Sequence, residues 1–353
     1  MKIALGMRLQ SGSFGGGNQF GKALSSYLIK QEIGVVFDLT NDDIDIILLT
    51  DPRSYLSSYA FGPIEISNYL KVKPDVILVQ RINECDQRKG TLLVNKQLVL
   101  ANSIMDHTIY IGTWLVDLFK DKGFIFTDKY SIILNGGDRK IFQYKHHELN
   151  SEKIKIVTHH WGASWLKGWD VYLHLDKLLE KSDYKDGIEF HYIGNVPKDV
   201  VMRNIIVHKP CAGIELAKML QQHDIYLTAS INEPAGMHHI EGALCGLPLL
   251  YRNSGALPEY CQGFGVSFDG VDDFEEALNT IIENFDYYSS RMIQYNNTSE
   301  KMCSEYLKLF DLLYKQKDEV ITSRARRNVG FLRIVKLKIL FFCFKILNRL
   351  GIS

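Results

Sequence analysis

Two glutamates, Glu233 and Glu241, stand eight positions apart in the string SINEPAGMHHIEGALCGLP, which runs from Ser230 to Pro248. The string follows an apolar run at 224–229, so Glu233 falls in the loop after a strand. Pro234 and Gly236 shape that loop, and Glu241 lies about one turn into the next helix. The N–H groups of Ala235, Gly236 and Met237 sit where the helix begins, a position that favours an anion. Carboxylates accept hydrogen bonds from hydroxyls, often two at once. The element could therefore hold a diphosphate on the helix start and hydroxyls on its flanking glutamates. One glutamate alone would suggest only a capped, solvated helix; the whole string is more specific. A second segment, THHWGASWLKG from Thr158 to Gly168, follows another apolar run and contains Lys167. A lysine there neutralises a departing anion as a point charge. His160 is a possible second donor, and His159 beside it could equally be structural. A third segment, SGSFGGGNQ from Ser11 to Gln19, places Gly15, Gly16 and Gly17 before a helix, where a bare backbone can approach a ligand.

Elements must position these groups. Apolar runs at 3–9, 44–49, 75–80 and 131–134 read as buried parallel strands, with helices at 19–30 and 96–106. Asn135-Gly136-Gly137-Asp138 is a turn. A polar stretch from Tyr144 to Ser151 marks a boundary, after which strands at 153–159, 188–193, 205–208 and 224–229 alternate with helices at 170–181, 213–222, 237–245 and 272–284. This alternation predicts an α/β fold of two doubly wound, Rossmann-like domains, at 1–147 and 148–320, with ligands at the carboxyl ends of the strands.

Bulk composition excludes several classes. With 353 residues, 46% hydrophobic and 23% charged, the chain suits two packed globular domains. A formal net charge of zero gives no global field for nucleic acid. The six cysteines show neither CxxC nor zinc-ligand spacing and read as thiols of a reducing compartment. Asp43-Ile44-Asp45 mimics a metal-binding D-x-D but sits at the front of a strand, so it reads as strand-edge polarity. Arg81 ends an apolar strand and could face a ligand, while Asp106-His107 reads as a helix end.

The Ser230–Pro248 string resembles the E-x7-E motif of retaining glycosyltransferases of the glycosyl transferases group 1 family. Tyr251 to Glu259 (YRNSGALPE) resembles the family's next strand and glycine turn, Lys167-Gly168 its Lys-Gly pair, and Asn135-Gly136-Gly137-Asp138 its N-G-x-D turn. The resemblance spans about residues 1–315. Two departures stand out: only Gly236 matches the family's G-F-G loop, where Pro234 and Ala235 precede it, and His160-Trp161-Gly162 occupy the place of an arginine. The resemblance implies a GT-B-like fold whose two domains face a cleft, with the acceptor on the domain at 1–147 and the nucleotide sugar on that at 148–320. It implies Glu233 on the transferred sugar, Glu241 on the ribose and Lys167 on the diphosphate. Gly15, Gly16, Gly17, His160, Ala235, Gly236 and Met237 would help to bind the donor. It further implies retention of configuration with no metal or other cofactor.

The tail at 321–353 is rich in Lys, Arg, Phe, Ile and Leu. From Arg324 to Leu350 it has no Asp or Glu. Helical spacing puts Arg327, Lys338, Lys345 and Arg349 on one stripe and Leu332, Ile339, Cys343, Ile346 and Leu350 opposite. Charges recur too often for a membrane span, so an amphipathic helix on an anionic membrane surface is expected. The combined expectation is a cytoplasmic, peripheral membrane enzyme of cell-surface polysaccharide synthesis, such as lipopolysaccharide or capsule. It would move a hexose-type sugar from a nucleotide-diphosphate donor to a glycan or lipid-linked acceptor. Alternatives are a nucleotide-sugar 2-epimerase of the same fold, or a catalytically silent partner that binds sugar nucleotide or membrane.

Overall fold

Runs such as IILL and ILVQRI, apolar with few breaks, are what a strand needs when helices cover both faces of its sheet. In a computed structural model that describes residues 1–10, 15–120, 129–149, 152–327 and 331–349, these runs build two six-stranded sheets. The first contains β1 (Lys2–Leu5), β2 (Gly34–Val36), β3 (Ile46–Leu49), β4 (Ile77–Ile82), β5 (His107–Tyr110) and β6 (Tyr130–Ile132), ordered β2-β1-β3-β4-β5-β6. The second contains β7 (Ile154–His160), β8 (Ile188–Gly194), β9 (Ile206–His208), β10 (Ile225–Thr228), β11 (Leu249–Arg252) and β12 (Gly265–Phe268), ordered β12-β11-β10-β7-β8-β9. Every pairing within both sheets is parallel. The expected two doubly wound α/β domains are present.

The chain divides into one unit of Met1–Leu134 with Glu300–Ser353 and a second of Asn135–Ser299. These limits differ from the sequence boundaries at 147/148 and 320/321, for physical reasons. The Asn135 N–H donates to the Tyr260 hydroxyl at 2.7 Å, within the second unit. The helix Ser299–Lys315 packs Met302, Tyr306, Phe310 and Leu313 against Ile3, Leu5 and Ile46 of the first core. Three strands, β2, β5 and β12, escaped the sequence reading because each is short and carries glycine or polar residues. Asp106-His107 does not end a helix: His107 opens β5. Buried Asp106 pairs with Arg324 at 2.9 Å and Arg327 at 3.0 Å.

That pairing corrects the expected cationic stripe, since Arg327 is spent inside the first unit. The last helix, Phe331–Arg349, seats Leu337 and Phe341 in a second core cluster of the first unit, beside Ile66 and Tyr69. Lys338 donates to Asn68 at 2.6 Å. The buried seam is a different face from the one that carries Ile339, Cys343 and Ile346, which the sequence assigns to a membrane surface. Those three are exposed, together with Phe342. The side chain of Leu332, and Leu350 altogether, lie outside the described residues. No helix among the described residues is long and apolar enough to cross a membrane.

Candidate functional site

The carboxyl ends of β7 and β10 deliver the chemistry-bearing groups of the second unit. Lys167 closes a short 3-10 turn, Trp165–Lys167, after β7. Gly168 follows with φ +100°, and a Cβ there would lie 2.4 Å from the Ala229 Cβ. Only glycine lets this turn pass so close to the end of β10. The Ile231 N–H donates to the Leu166 carbonyl at 2.9 Å and ties the turn to the glutamate loop. Gly255, with φ +66°, presses that loop from the other side: a Cβ would lie 2.3 Å from the Glu233 carbonyl oxygen. The Asn135 amide donates to the Ala235 carbonyl at 3.0 Å. Asn135, read from sequence only as part of a turn, thus helps to fix the loop.

Held in this way, Lys167 Nζ lies 3.2 Å from Glu233 Oε2, and both side chains are largely buried. The helix Met237–Leu244 starts immediately after this loop, with Gly236 as its N-cap. Its first N–H groups have no acceptor inside the helix. A buried cation, a carboxylate and a helix start therefore converge, and together they suit an anionic group that carries hydroxyls.

Glu241 belongs to a second, linked set. His159 N–H donates to the Tyr226 hydroxyl at 3.2 Å, and that hydroxyl lies 3.0 Å from His159 Nδ1. The network assigns the tautomer: Tyr226 donates to Nδ1, and Nε2–H donates to Glu241 Oε2 at 2.7 Å. Glu241 is 2% exposed, and its other oxygen, Oε1, makes no hydrogen bond within the protein. Buried polar atoms ordinarily have partners, so this enclosed, unsatisfied oxygen sets Glu241 apart. His238 bridges the two sets. Its ring lies 4.6 Å from that of His160 and 6.3 Å from that of His159, and its Nε2 meets the Thr228 hydroxyl at 2.8 Å. Burial, reinforced by neighbouring His160 and Lys167, holds the pKa of His238 well below the usual histidine range. Burial pushes His239 down to about 3. Both imidazoles are neutral at pH 7, so the net cation beside Glu233 is Lys167.

Lys167, Glu233, Ala235, Gly236, Met237, His160 and Glu241 are thus brought into one neighbourhood. His160 faces inward, 2.8 Å from the Tyr172 hydroxyl. Gly15, Gly16 and Gly17 belong to the first unit, where Gly15 caps the helix Gly16–Lys30. Positions 11–14 of that glycine-rich segment lie outside the described residues. Arg81 is buried over the Phe20 ring at 3.9 Å, and its Nε donates to the Tyr306 hydroxyl at 3.1 Å. Lys2 meets both acids of Asp43-Ile44-Asp45, as strand-edge polarity predicts. Sequence reasoning missed His238, Asn135 and the Tyr226–His159 relay. The four histidines at 159, 160, 238 and 239 were its only signal.

Comparison with known proteins gives a family match over part of the chain and a fold match over most of it. Residues 201–299 match the family model Glycosyl transferases group 1. That stretch contains Glu233 and Glu241 but not Lys167. Sucrose-phosphate synthase from Thermosynechococcus elongatus has a similar structure, with a TM-score of 0.64 at 10% identity, over 89% of this chain and 99% of that one. Anabaena HepE, solved in complex with UDP-glucose, gives 0.62 at 13% identity over 89% of this chain and 100% of that one. The fold is that of GT-B glycosyltransferases. In sequence, the chain is 26% identical over 184 residues to an uncharacterized 41.2 kDa protein in the cps region of Klebsiella pneumoniae. That match covers 50% of this chain and 48% of the relative, so it spans about half the length of each.

Proposed function

We propose that the chain is a glycosyltransferase of surface-polysaccharide assembly that takes a sugar from a nucleoside-diphosphate donor. The observation that carries this reading is the buried Lys167–Glu233 pair at the start of the Met237–Leu244 helix. The match of residues 201–299 to group 1 glycosyl transferases supports it, as does the UDP-glucose bound by HepE, and the cps-region relative supports the polysaccharide role. In the proposed reaction the diphosphate lies on the helix start, and Lys167 turns from Glu233 toward it. Glu233 accepts hydroxyls of the hexose-type sugar, and Glu241, aimed by His159, accepts those of the ribose. The bond from the anomeric carbon to the diphosphate oxygen breaks. The acceptor oxygen bonds to the same face of that carbon, and its proton passes to the departing phosphate. Configuration is retained, and Lys167 with the helix start supplies the charge stabilisation without a metal.

The exposed face of the last helix, with Ile339, Phe342 and Ile346 beside Lys336, Lys345 and Arg349, is proposed to rest on an anionic leaflet, where lipid-linked acceptors reside. Co-sedimentation with phosphatidylglycerol vesicles, lost in Phe342→Glu, tests that part. The donor is tested by a thermal-shift panel of nucleotide sugars, because a ligand of the folded state raises its melting temperature by mass action. If no nucleotide sugar shifts the wild-type chain, the donor site is wrong. An epimer formed from donor alone makes the chain an epimerase. Donor binding with neither transfer nor epimer makes it a silent partner.

A further inference from the structure

Single exposed apolar side chains are ordinary, whereas two large aromatics close together in sequence at the surface can mark a binding site. Trp161 and Trp165 are 53% and 51% exposed, both within the six residues between β7 and Lys167. Gly162, Ala163 and Ser164 between them are small and exposed, and a Cβ at Gly162 would meet nothing within 4 Å. No bulky neighbour within the loop screens the indoles. The loop is also held. The Asn195 amide donates to the Trp161 carbonyl at 2.6 Å, and the Gly168 N–H donates to the Trp165 carbonyl at 3.2 Å.

Positions 161–166 carry no charge, unlike the lysine that follows. An indole face without a neighbouring charge suits the apolar C–H face of a pyranose better than a phosphate or a carboxylate. Position selects which sugar. The atoms of bond exchange belong beside Lys167 and Glu233, and Glu233 is 4% exposed. A ring at the solvent-exposed edge is therefore displaced from the reacting carbon along the acceptor. We propose that Trp161 and Trp165 form a stacking platform for a sugar ring of the acceptor glycan. This rests on the glycosyltransferase reading, and it gives the second unit a part in gripping an acceptor that the resemblance alone assigns to the first domain.

The full-length chain tests it directly. Maltose, cellobiose and lactose are titrated while tryptophan emission is read, and UDP-glucose is titrated in parallel by thermal shift. At least one disaccharide should quench the wild type saturably. Its midpoint should rise about tenfold or more in the Trp161→Ala/Trp165→Ala double variant. Trp161→Phe, which keeps an aromatic face, should recover most of the affinity. The UDP-glucose midpoint should stay at the wild-type value in both variants. The platform is overturned if no disaccharide alters the wild-type signal, or if the double variant binds as the wild type does. It is also overturned if dilution alone changes the emission, since the indoles would then meet a second copy. The donor reading fails separately, by the absence of any UDP-glucose shift in the wild type.

Discussion

Replacement of Lys167 by methionine removes the site's cation and keeps most of its volume. In the wild type Nζ lies 3.2 Å from Glu233 Oε2, with side-chain exposures of 12% and 5%. Removing one partner of a buried pair costs about 3–5 kcal/mol, and the lower figure applies here because Glu233 can take up a proton. Against a total of about 5–15 kcal/mol the variant still folds. The same change removes a charge-assisted hydrogen bond to a bound diphosphate, worth about 1.5–3 kcal/mol, or about a 10- to 150-fold loss of UDP affinity. The double variant Lys167→Met/Glu233→Gln separates the two effects. With both charges gone, the stability loss should shrink to about 1 kcal/mol, whereas UDP affinity should stay low. Urea unfolding reads the first quantity and calorimetric titration with UDP the second. Recovery of UDP affinity together with stability would show that the pair is structural and refute the assignment of Lys167 to the diphosphate. A single variant within about twofold of wild type in UDP affinity would refute it equally.

Other outcomes follow from the same geometry. Gly168→Ala, at φ +100° and 2.4 Å from the Ala229 Cβ, should destabilise the chain by about 2–5 kcal/mol, read as a lower urea midpoint. His159→Ala should leave Glu241 without its buried donor. UDP-glucose affinity should fall about tenfold, and a Tyr226→Phe variant should move the same way by less. Acid should unfold the protein through its buried histidines. The folded pKa of His239, about 3, lies below the unfolded value of about 6.5, so the unfolded state binds more protons between them. Stability is therefore lost as pH falls below about 6.5, at about 1.4 kcal/mol per unit for each such histidine. His107 and His147, both held down to about 4 chiefly by burial, add to the slope. In urea titrations at successive pH values, His239→Gln should flatten the slope by about 1.4 kcal/mol per pH unit; an unchanged slope would contradict its neutral burial.

Much of the fold was legible because long apolar runs such as those in β3, β4 and β10 admit few other roles. The short strands β2 and β12 were not, since three or four residues with an edge glycine carry no period. Strand β5 was hidden because His107 and Thr108 look like a polar helix end, until Asp106 is seen to neutralise two arginines that arrive from position 324 onward. That long-range pairing also explains why Arg327 does not belong to the tail's cationic stripe: helical spacing gives a stripe but not what lies beside it. In the site, Glu233, Glu241 and Lys167 were legible as residue types in the loops that follow strands. The partners of Glu241 were not, because Tyr226 and His159 lie on different strands and meet only through the pairing of β10 with β7. Asn135 likewise reaches Ala235 across a hundred positions of chain.

The central claim is that Lys167, Glu233 and the start of the Met237–Leu244 helix grip a nucleoside diphosphate sugar. A crystal structure of the full chain grown with UDP tests it most directly. The account predicts diphosphate oxygens within hydrogen-bonding distance of Lys167 Nζ and of the N–H groups at Gly236 and Met237, with a ribose hydroxyl on Glu241 Oε1. UDP bound elsewhere, with the Lys167–Glu233 pair still closed, would contradict it.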